Sequence, residues 1–356
     1  MRTASRREQL ARLLEHTGSL ATILKLRARY PTPWLTVLTY HRFPSRGGVD
    51  PFDDGVVDVT AERFEQQVAY LKRNFTVVGV PELCAFAEGR PLPPNPVAIS
   101  FDDGYLGCYE TALPILKRLD CKAIFFVVTA RLEEPRIHWW DRIAYVLKAS
   151  PRASLHLEYP ERVSFDLTGA RHPAIRAVLK LVKSYPSLDL PRFLDDLSRN
   201  AGVPWSAAVD RRFASELLMT WDHVRALHRA GMDVHSHTRT HRVLQTLSPA
   251  DLRDELEGSR DELRRELGVA PRALAYPVGN PLASTSPLRA AIRAAGYEIG
   301  FTNGTGPTPL HAAVDPFHIC RQTVGQEMSD ALLRAILAVP ALAPRHPWGE
   351  VEAGDA

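Results

Sequence analysis

The chain has 356 residues, 45% apolar and 24% charged, a composition that supports a large buried core and excludes compositional disorder. Forty-four Lys and Arg against 41 Asp and Glu leave a formal charge of +3, so no overall field points to nucleic acid or another polyanion. Cys84, Cys108, Cys121 and Cys320 are scattered with no CxxC pair, which excludes a cysteine-rich zinc site and leaves buried free thiols.

In chain order, residues 1–33 form a basic leader. Leu10, Leu13, Leu14, Leu20, Ile23 and Leu24 recur at helical spacing, and residues 1–30 hold seven Lys/Arg against two Glu. One amphipathic helix is expected, docked on the main domain, with peripheral contact to an anionic membrane surface as the second reading. Glu15, His16 and Lys25 interrupt any signal-like apolar run, and no stretch of about 20 apolar residues follows. A cytoplasmic location is the expectation.

From residue 34 to 330, short apolar runs alternate with helical patterns. The runs are 34–41, 96–104, 122–129, 232–238, 272–279, 297–303 and 317–324. Phe64, Val68 and Leu71 mark one intervening helix, and Leu113, Leu116 and Leu119 another. This alternation predicts an α/β fold with a parallel sheet or barrel. Most runs end in polar residues, among them Tyr40-His41, Asp102-Asp103-Gly104, His237-Thr238 and Tyr276-Pro277. In a β/α barrel those ends share one face, where the chemistry sits.

Residues 131–220 break the rhythm and read as a partly helical insertion, a candidate lid or substrate wall. It carries Trp139 and Trp140, aromatic side chains of the kind that stack on sugar rings. Residues 331–356 read as a helix end followed by a flexible Pro- and Ala-rich tail.

HSHTRTH at 235–241 places His237 and His241 four apart, which on a helical turn would aim both imidazoles at one metal. Ser236, Thr238 and Thr240 are candidates to orient them. SFDDG at 100–104 sets two carboxylates side by side where a strand stops. Neighbours on a strand point to opposite faces, so both reach one pocket only if the chain turns there, as Gly104 allows. Two carboxylates sharing a pocket repel unless a cation joins them. One can then bind the metal with the two imidazoles, while the other takes a proton from the attacking water. Two His and one carboxylate leave open coordination positions, as hydrolysis of an amide or ester requires.

These residues resemble the polysaccharide deacetylases with a NodB-homology domain. The family's TFDDG motif is matched by SFDDG at 100–104, and its H-[ST]-x-x-H motif by HTRTH at 237–241. LAYPVG at 274–279 looks like the third motif, with Ala275 where arginine often stands. The resemblance implies a distorted (β/α) barrel, a divalent ion held by Asp103, His237 and His241, and Asp102 as general base. It makes Tyr276 the position whose amide helps hold the oxyanion. Of the candidates for the acid that protonates the leaving amine, His318 is nearest by position to the family's later motif. His41, in LTYHRF, resembles the YH element of the exopolysaccharide branches and is expected in the site as substrate contact or proton carrier.

The implied reaction removes acetyl groups from an N-acetylated saccharide, an exopolysaccharide or cell-envelope glycan precursor. Zinc is the first choice of ion, with cobalt, nickel and manganese suited to the same ligands. A deacylase or deformylase of a non-sugar amide is an alternative, and so is a catalytically degenerate carbohydrate-binding barrel. No nucleic acid and no obligate protein partner is expected.

Overall fold

A computed structural model describes residues 5–29, 34–44, 50–283, 286–304, 306–310 and 315–343; the tail expected beyond them lies outside the described residues. The strands are β1 (Trp34–Tyr40), β2 (Thr76–Val77), β3 (Pro96–Phe101), β4 (Ile124–Val127), β5 (Ser154–Leu157) and β6 (Val163–Asp166). They continue with β7 (Asp233–Ser236), β8 (Ala273–Ala275), β9 (Ile299–Thr302), β10 (Thr308–Pro309), β11 (Ile319–Cys320) and β12 (Gln322–Thr323). Each of the seven apolar runs contains one of these strands, and the last contains two.

The parallel neighbours run β1-β3-β4-β7-β8-β9-β11. Strands covered on both faces need apolar residues at successive positions, which is why PVAISF is buried throughout. Leu35, Val37 and Ala98 join Phe126, Ala275 and Phe301 in one cluster. Their alternates Leu38, Val97, Ile99 and Phe101 pack instead with Phe64, Val68, Leu71 and Val224 of the surrounding helices. The result is a nearly closed barrel.

Closure comes from the run 317–324. Ile319 pairs with Phe301 on β9, and three residues later Gln322 pairs with Leu38 on β1. The chain thus steps from the last edge of the sheet to the first. Arg321 stands at the step, and its side chain is wholly buried.

The insertion is a small unit with its own core. The helix Trp139–Ala149, the β5–β6 hairpin and the helices His172–Ser184 and Leu190–Asn200 gather Ile143, Leu155, Val178, Phe193 and Leu197. This core runs from Trp139 to Val203, shorter than the 131–220 read from the sequence. The reason is that Phe213, Leu218 and Trp221, inside or just beyond that range, pack into the main core instead.

The leader, expected as one helix, forms two, Arg6–His16 and Ser19–Arg27. Gly18, at φ 70°, separates them, a left-handed conformation that glycine adopts without strain. Ala11, Leu20 and Leu24 pack on Ala335 and Ala338 of the helix Asp330–Ala338. Glu15 pairs with Arg334 at 2.6 Å, so both helices lie against that helix.

Candidate active site

The carboxyl ends of β1, β3, β7 and β8 bring together His41, Asp102, Asp103, His237 and the carbonyl of Ala275. β3 ends at Phe101 in a turn made by two successive left-handed residues, Asp103 at φ 73° and Gly104 at φ 78°. The Gly104 N–H donates to Asp102 O at 3.0 Å. A Cβ on Gly104 would meet Val127 only at ordinary contact distance, so its positive φ, not lack of space, favours glycine there. This turn lets two adjacent carboxylates share one pocket. The strain of a non-glycine residue at such a φ is of the kind that clusters at functional sites.

The segment 237–241 is not the helical turn expected. It is a loop in which Thr238 and His241 have φ of 64° and 61°. Glu255 accepts the N–H groups of Arg239 and Thr240 at 2.9 and 2.8 Å, and also the Thr240 hydroxyl. Thr238 Oγ1 accepts the His241 N–H at 3.1 Å, and Ser236 Oγ accepts the Thr238 N–H at 3.0 Å. The hydroxyls therefore shape the loop backbone rather than holding the imidazoles.

The His237 ring is oriented by main chain. Its Nδ1 lies 2.8 Å from Ala275 O, and because a carbonyl only accepts, Nδ1 carries the proton and Nε2 offers a lone pair. Nε2 stands 3.5 Å from Asp102 Oδ2 and 3.5 Å from Asp103 Oδ1. His241 Nε2 stands 3.6 Å from the same Asp103 oxygen. Burial lowers His237 to about 4 and takes His241 well below the usual histidine value. Both rings are therefore neutral ligand donors at ordinary pH.

Burial pushes Asp103 up to about 8, the nearby His41 charge pulling it down and that of Asp102 adding to the rise. Its Oδ1 has no hydrogen-bond donor. Ligand atoms of Asp103, His237 and His241 all lie within 4.8 Å of one another. Three ligand atoms thus converge in a buried space where, without a cation, the Asp103 carboxyl is driven to take up a proton, the electrostatic signature of a cation site. The donor set, two imidazoles and one carboxylate, suits zinc and its neighbours in the first transition row.

Asp102 lies beside this set with a different environment. Arg321 Nη1 donates to its Oδ1 at 2.7 Å, and Arg321 Nε donates to Thr302 O at 3.3 Å. Burial alone would raise the Asp102 carboxyl; the Arg321 charge, with lesser influences from His237 and His41, outweighs it and holds it below the ordinary value. Arg321 reaches Asp102 from the barrel's closing step. Sequence reading missed it, although an arginine inside the apolar run FHICRQTV was a signal that needed a buried partner.

His41 joins the site from the end of β1. Its backbone N–H donates to Asp58 Oδ2, and its Nδ1 lies 3.6 Å from the same oxygen. Burial works against the charged ring, but Asp58, with Asp103 and Asp102 beyond, prevails and pushes His41 up to about 9. Asp58 was also missed, since nothing local in PFDDGVVDVT singles it out.

Four expected site residues are placed differently. The Tyr276 N–H donates to Phe301 O at 3.0 Å in the sheet ladder, and its hydroxyl donates to Phe317 O at 3.0 Å. Neither donor is free for an oxyanion. His318 sits beside Asp315 and Arg289, whose charges act on it most strongly after burial, which lowers its pKa; those two residues pair with each other at 2.5 Å. No contact among the described residues joins it to Asp102 or Asp103. Trp139 and Trp140 are 3% and 4% exposed, so neither is an open stacking surface for sugar. Trp139 Nε1 donates to His241 O at 3.2 Å, and the Trp140 ring lies 4.4 Å from the His241 ring. Their place is behind the second histidine. Trp221, expected to pack, does so in the main core.

The model of the polysaccharide deacetylase family matches residues 89–300. A poly-beta-1,6-N-acetyl-D-glucosamine N-deacetylase of Staphylococcus epidermidis is 24% identical over 137 residues, 35% of this chain and 46% of the relative. One of the same name from Staphylococcus aureus is 31% identical over 87 residues, 24% of this chain and 30% of the relative. The matches thus span less than half the length of these curated relatives. Among solved structures, the Streptococcus pyogenes deacetylase PplD in complex with acetate superposes with a TM-score of 0.54 at 19% identity, over 85% of this chain and 97% of that one. IcaB from Ammonifex degensii gives 0.51 at 19%, over 86% and 97%. At these identities the likeness is one of fold.

Proposed function

From the premise that the chain belongs to the polysaccharide deacetylase family, we propose that it is a metal-dependent hydrolase that removes N-acetyl groups from a saccharide. An exopolysaccharide or cell-envelope glycan precursor is the substrate class, and the names of the curated relatives favour linked N-acetylglucosamine. The observation that carries this reading is the meeting of Asp103, His237 and His241 beside a second carboxylate, Asp102, that is separately anchored by Arg321.

Asp103, His237 and His241 would hold a divalent ion, whose chemistry there is to polarise the acyl carbonyl and to acidify the attacking water. Asp102 takes the proton of that water as its oxygen bonds to the acyl carbon. Its depressed pKa keeps it ionised and ready to accept. His41, kept protonated by Asp58, gives a proton to the sugar nitrogen as the C–N bond breaks, releasing acetate and an amine. Two neighbouring carboxylates thus have separate tasks, set by their surroundings.

The test is metal analysis with acetate release from β-1,6-linked N-acetylglucosamine oligomers and chitooligosaccharides. Wild type should release acetate and hold about one zinc per chain, as one three-ligand site allows. Asp102→Asn should keep the metal and lose activity by about 10²- to 10⁴-fold. A wild-type protein loaded with zinc and inactive on the whole panel refutes the proposal.

Peripheral membrane contact belongs to the same proposal. No helix among the described residues is long and apolar enough to cross a membrane. Leu10, Leu13 and Leu26 are exposed on the leader, beside Arg6, Arg7 and Arg12. Co-sedimentation with phosphatidylglycerol vesicles, lost in a Leu10→Ser/Leu13→Ser variant, is the expected result.

A further inference from the structure

Of the three residues that would hold the ion, Asp103 and His241 have left-handed backbones, at φ 73° and 61°. His237 is not among the left-handed residues and is held through its ring by Ala275 O. A left-handed φ is uncommon outside glycine and persists only where the surroundings fix it. Two of the three ligands therefore need support from outside their own loops.

That support comes from one place, HWWD at 138–141, where the inserted unit begins. His138 precedes the helix Trp139–Ala149 in an extended conformation, and its ring makes no capping bond to that helix. It reaches the loop after β3 instead. Its Nε2 lies 3.1 Å from Asp103 O, and since a carbonyl only accepts, Nε2 carries the proton. The next side chain does the same for the other ligand, Trp139 Nε1 donating to His241 O at 3.2 Å. Each left-handed ligand thus has its own carbonyl held by one of two consecutive side chains. Holding that carbonyl fixes the peptide plane after the ligand, and with it the direction in which the ligand's side chain leaves the backbone.

Trp140 and Asp141 complete the arrangement. The Trp140 ring stacks on the His138 ring, with centroids 4.2 Å apart and planes 9° from parallel, and lies 4.4 Å from the His241 ring. Its Nε1 donates to the Tyr105 hydroxyl at 2.8 Å, and that hydroxyl donates to Asp141 Oδ2 at 2.7 Å. Tyr105 follows the left-handed Gly104, so Asp141 secures the SFDDG turn from its far side. His138, Trp139, Trp140, Asp141 and Tyr105 are each no more than 4% exposed, so water does not compete for these bonds.

We propose that His138 and Trp139 are positioning residues for the metal ligands. The start of the inserted unit clamps Asp103 and His241, which come from separate loops of the barrel, so that both reach one divalent ion. The unit is thereby part of the metal centre and not only a wall beside it. This inference rests on Asp103 and His241 being ligands, not on the identity of the substrate.

The experiment measures the zinc affinity of the full chain by competition with a chelator, together with the visible spectrum of the cobalt-loaded protein, which follows ligand geometry. His138→Phe and Trp139→Phe keep an aromatic ring and lose the N–H. Each should weaken zinc by about ten- to hundredfold and alter the cobalt spectrum. His138→Gln, whose amide N–H can replace that of Nε2, should recover most of the affinity. Trp221→Phe is the control, a buried tryptophan of the main core whose indole N–H donates to Glu133; it should leave both readouts as in wild type. Urea unfolding accompanies every variant, since a merely structural role would lower the midpoint and leave zinc affinity and spectrum alone.

Unchanged affinity and spectrum in both Phe variants would overturn the proposal, and so would an equal loss in Trp221→Phe. The two variants carry the same expectation on different ligands, so if one fails to fold the other decides. A wild type that holds zinc, is weakened as expected in the variants and yet releases no acetate from any saccharide refutes the deacetylase reading and leaves the clamp in place.

Discussion

Arg321 donates to Asp102 from a fully enclosed position, so removing its charge leaves a carboxylate buried without its counter-ion. Arg321→Met is expected to cost about 3–5 kcal/mol of stability, the usual penalty for breaking a buried pair from one side, read from urea unfolding. The same change removes the strongest influence holding the Asp102 carboxyl down, so its pKa rises. The acid limb of the pH–rate profile should then move to higher pH. Arg321→Lys keeps the charge without the planar fork and should recover stability more than rate. His41 acts on the opposite limb. It must be protonated to serve as acid, so activity should fall as pH rises through about 9. Asp58→Asn takes away the main cause of that raised value, moving the alkaline limb down toward the ordinary histidine value of about 6.5. An unmoved alkaline limb would remove His41 from the proton-transfer step. At this scale the sequence revealed what is local. SFDDG and HTRTH each hold their chemistry within five consecutive residues. Arg321 and Asp58 act across the barrel on Asp102 and His41, and only the pairing of β11 and β12 with their neighbours makes Arg321 legible.

The element that matters most is the loop after β7. The spacing of His237 and His241 suggested a helical turn, but a helix there would free neither the left-handed Thr238 nor the left-handed His241. The loop holds its shape because Glu255, from the segment Asp254–Gly258, satisfies two of its N–H groups at once. Glu255 touches neither imidazole. Its loss should therefore lower metal affinity through the placement of His241, by about ten- to hundredfold, as for other outer partners of metal ligands. Glu255→Gln keeps the size and loses half of the acceptor capacity. Competition of the variant against a zinc chelator checks this, and unchanged affinity would assign Glu255 a purely structural part. The Trp139–Trp140 pair shows why aromatic residues mislead at this scale. Their composition suits sugar stacking equally well, but burial in the inserted unit's core commits them to His241, and no local pattern reveals which side of a helix meets that core.

At the scale of the whole molecule, alternation of apolar runs and helical patterns was enough to foresee a parallel barrel. The strands follow sequence order around it except where the short β2, β10 and β12 flank β3 and β1. What the pattern could not convey was how far each added segment is integrated. The inserted unit keeps its own core from Trp139 to Val203, whereas the leader has no separate core and depends on the helix Asp330–Ala338 for cover. Leader and helix lie at opposite ends of the chain, so their contact clasps the barrel across its termini. Leu24 is 5% exposed in that contact. Leu24→Ala should cost about 2–5 kcal/mol if the leader unfolds together with the barrel, the range for truncating a buried leucine. A leader that only rests on the surface would instead fray by itself, leaving the main urea transition unchanged. Hydrogen exchange separates the two cases: a shared cooperative unit gives residues 6–27 the same protection as β3 and β4, and Leu24→Ala lowers both together. Loss of protection confined to 6–27 would show that the barrel stands without its clasp.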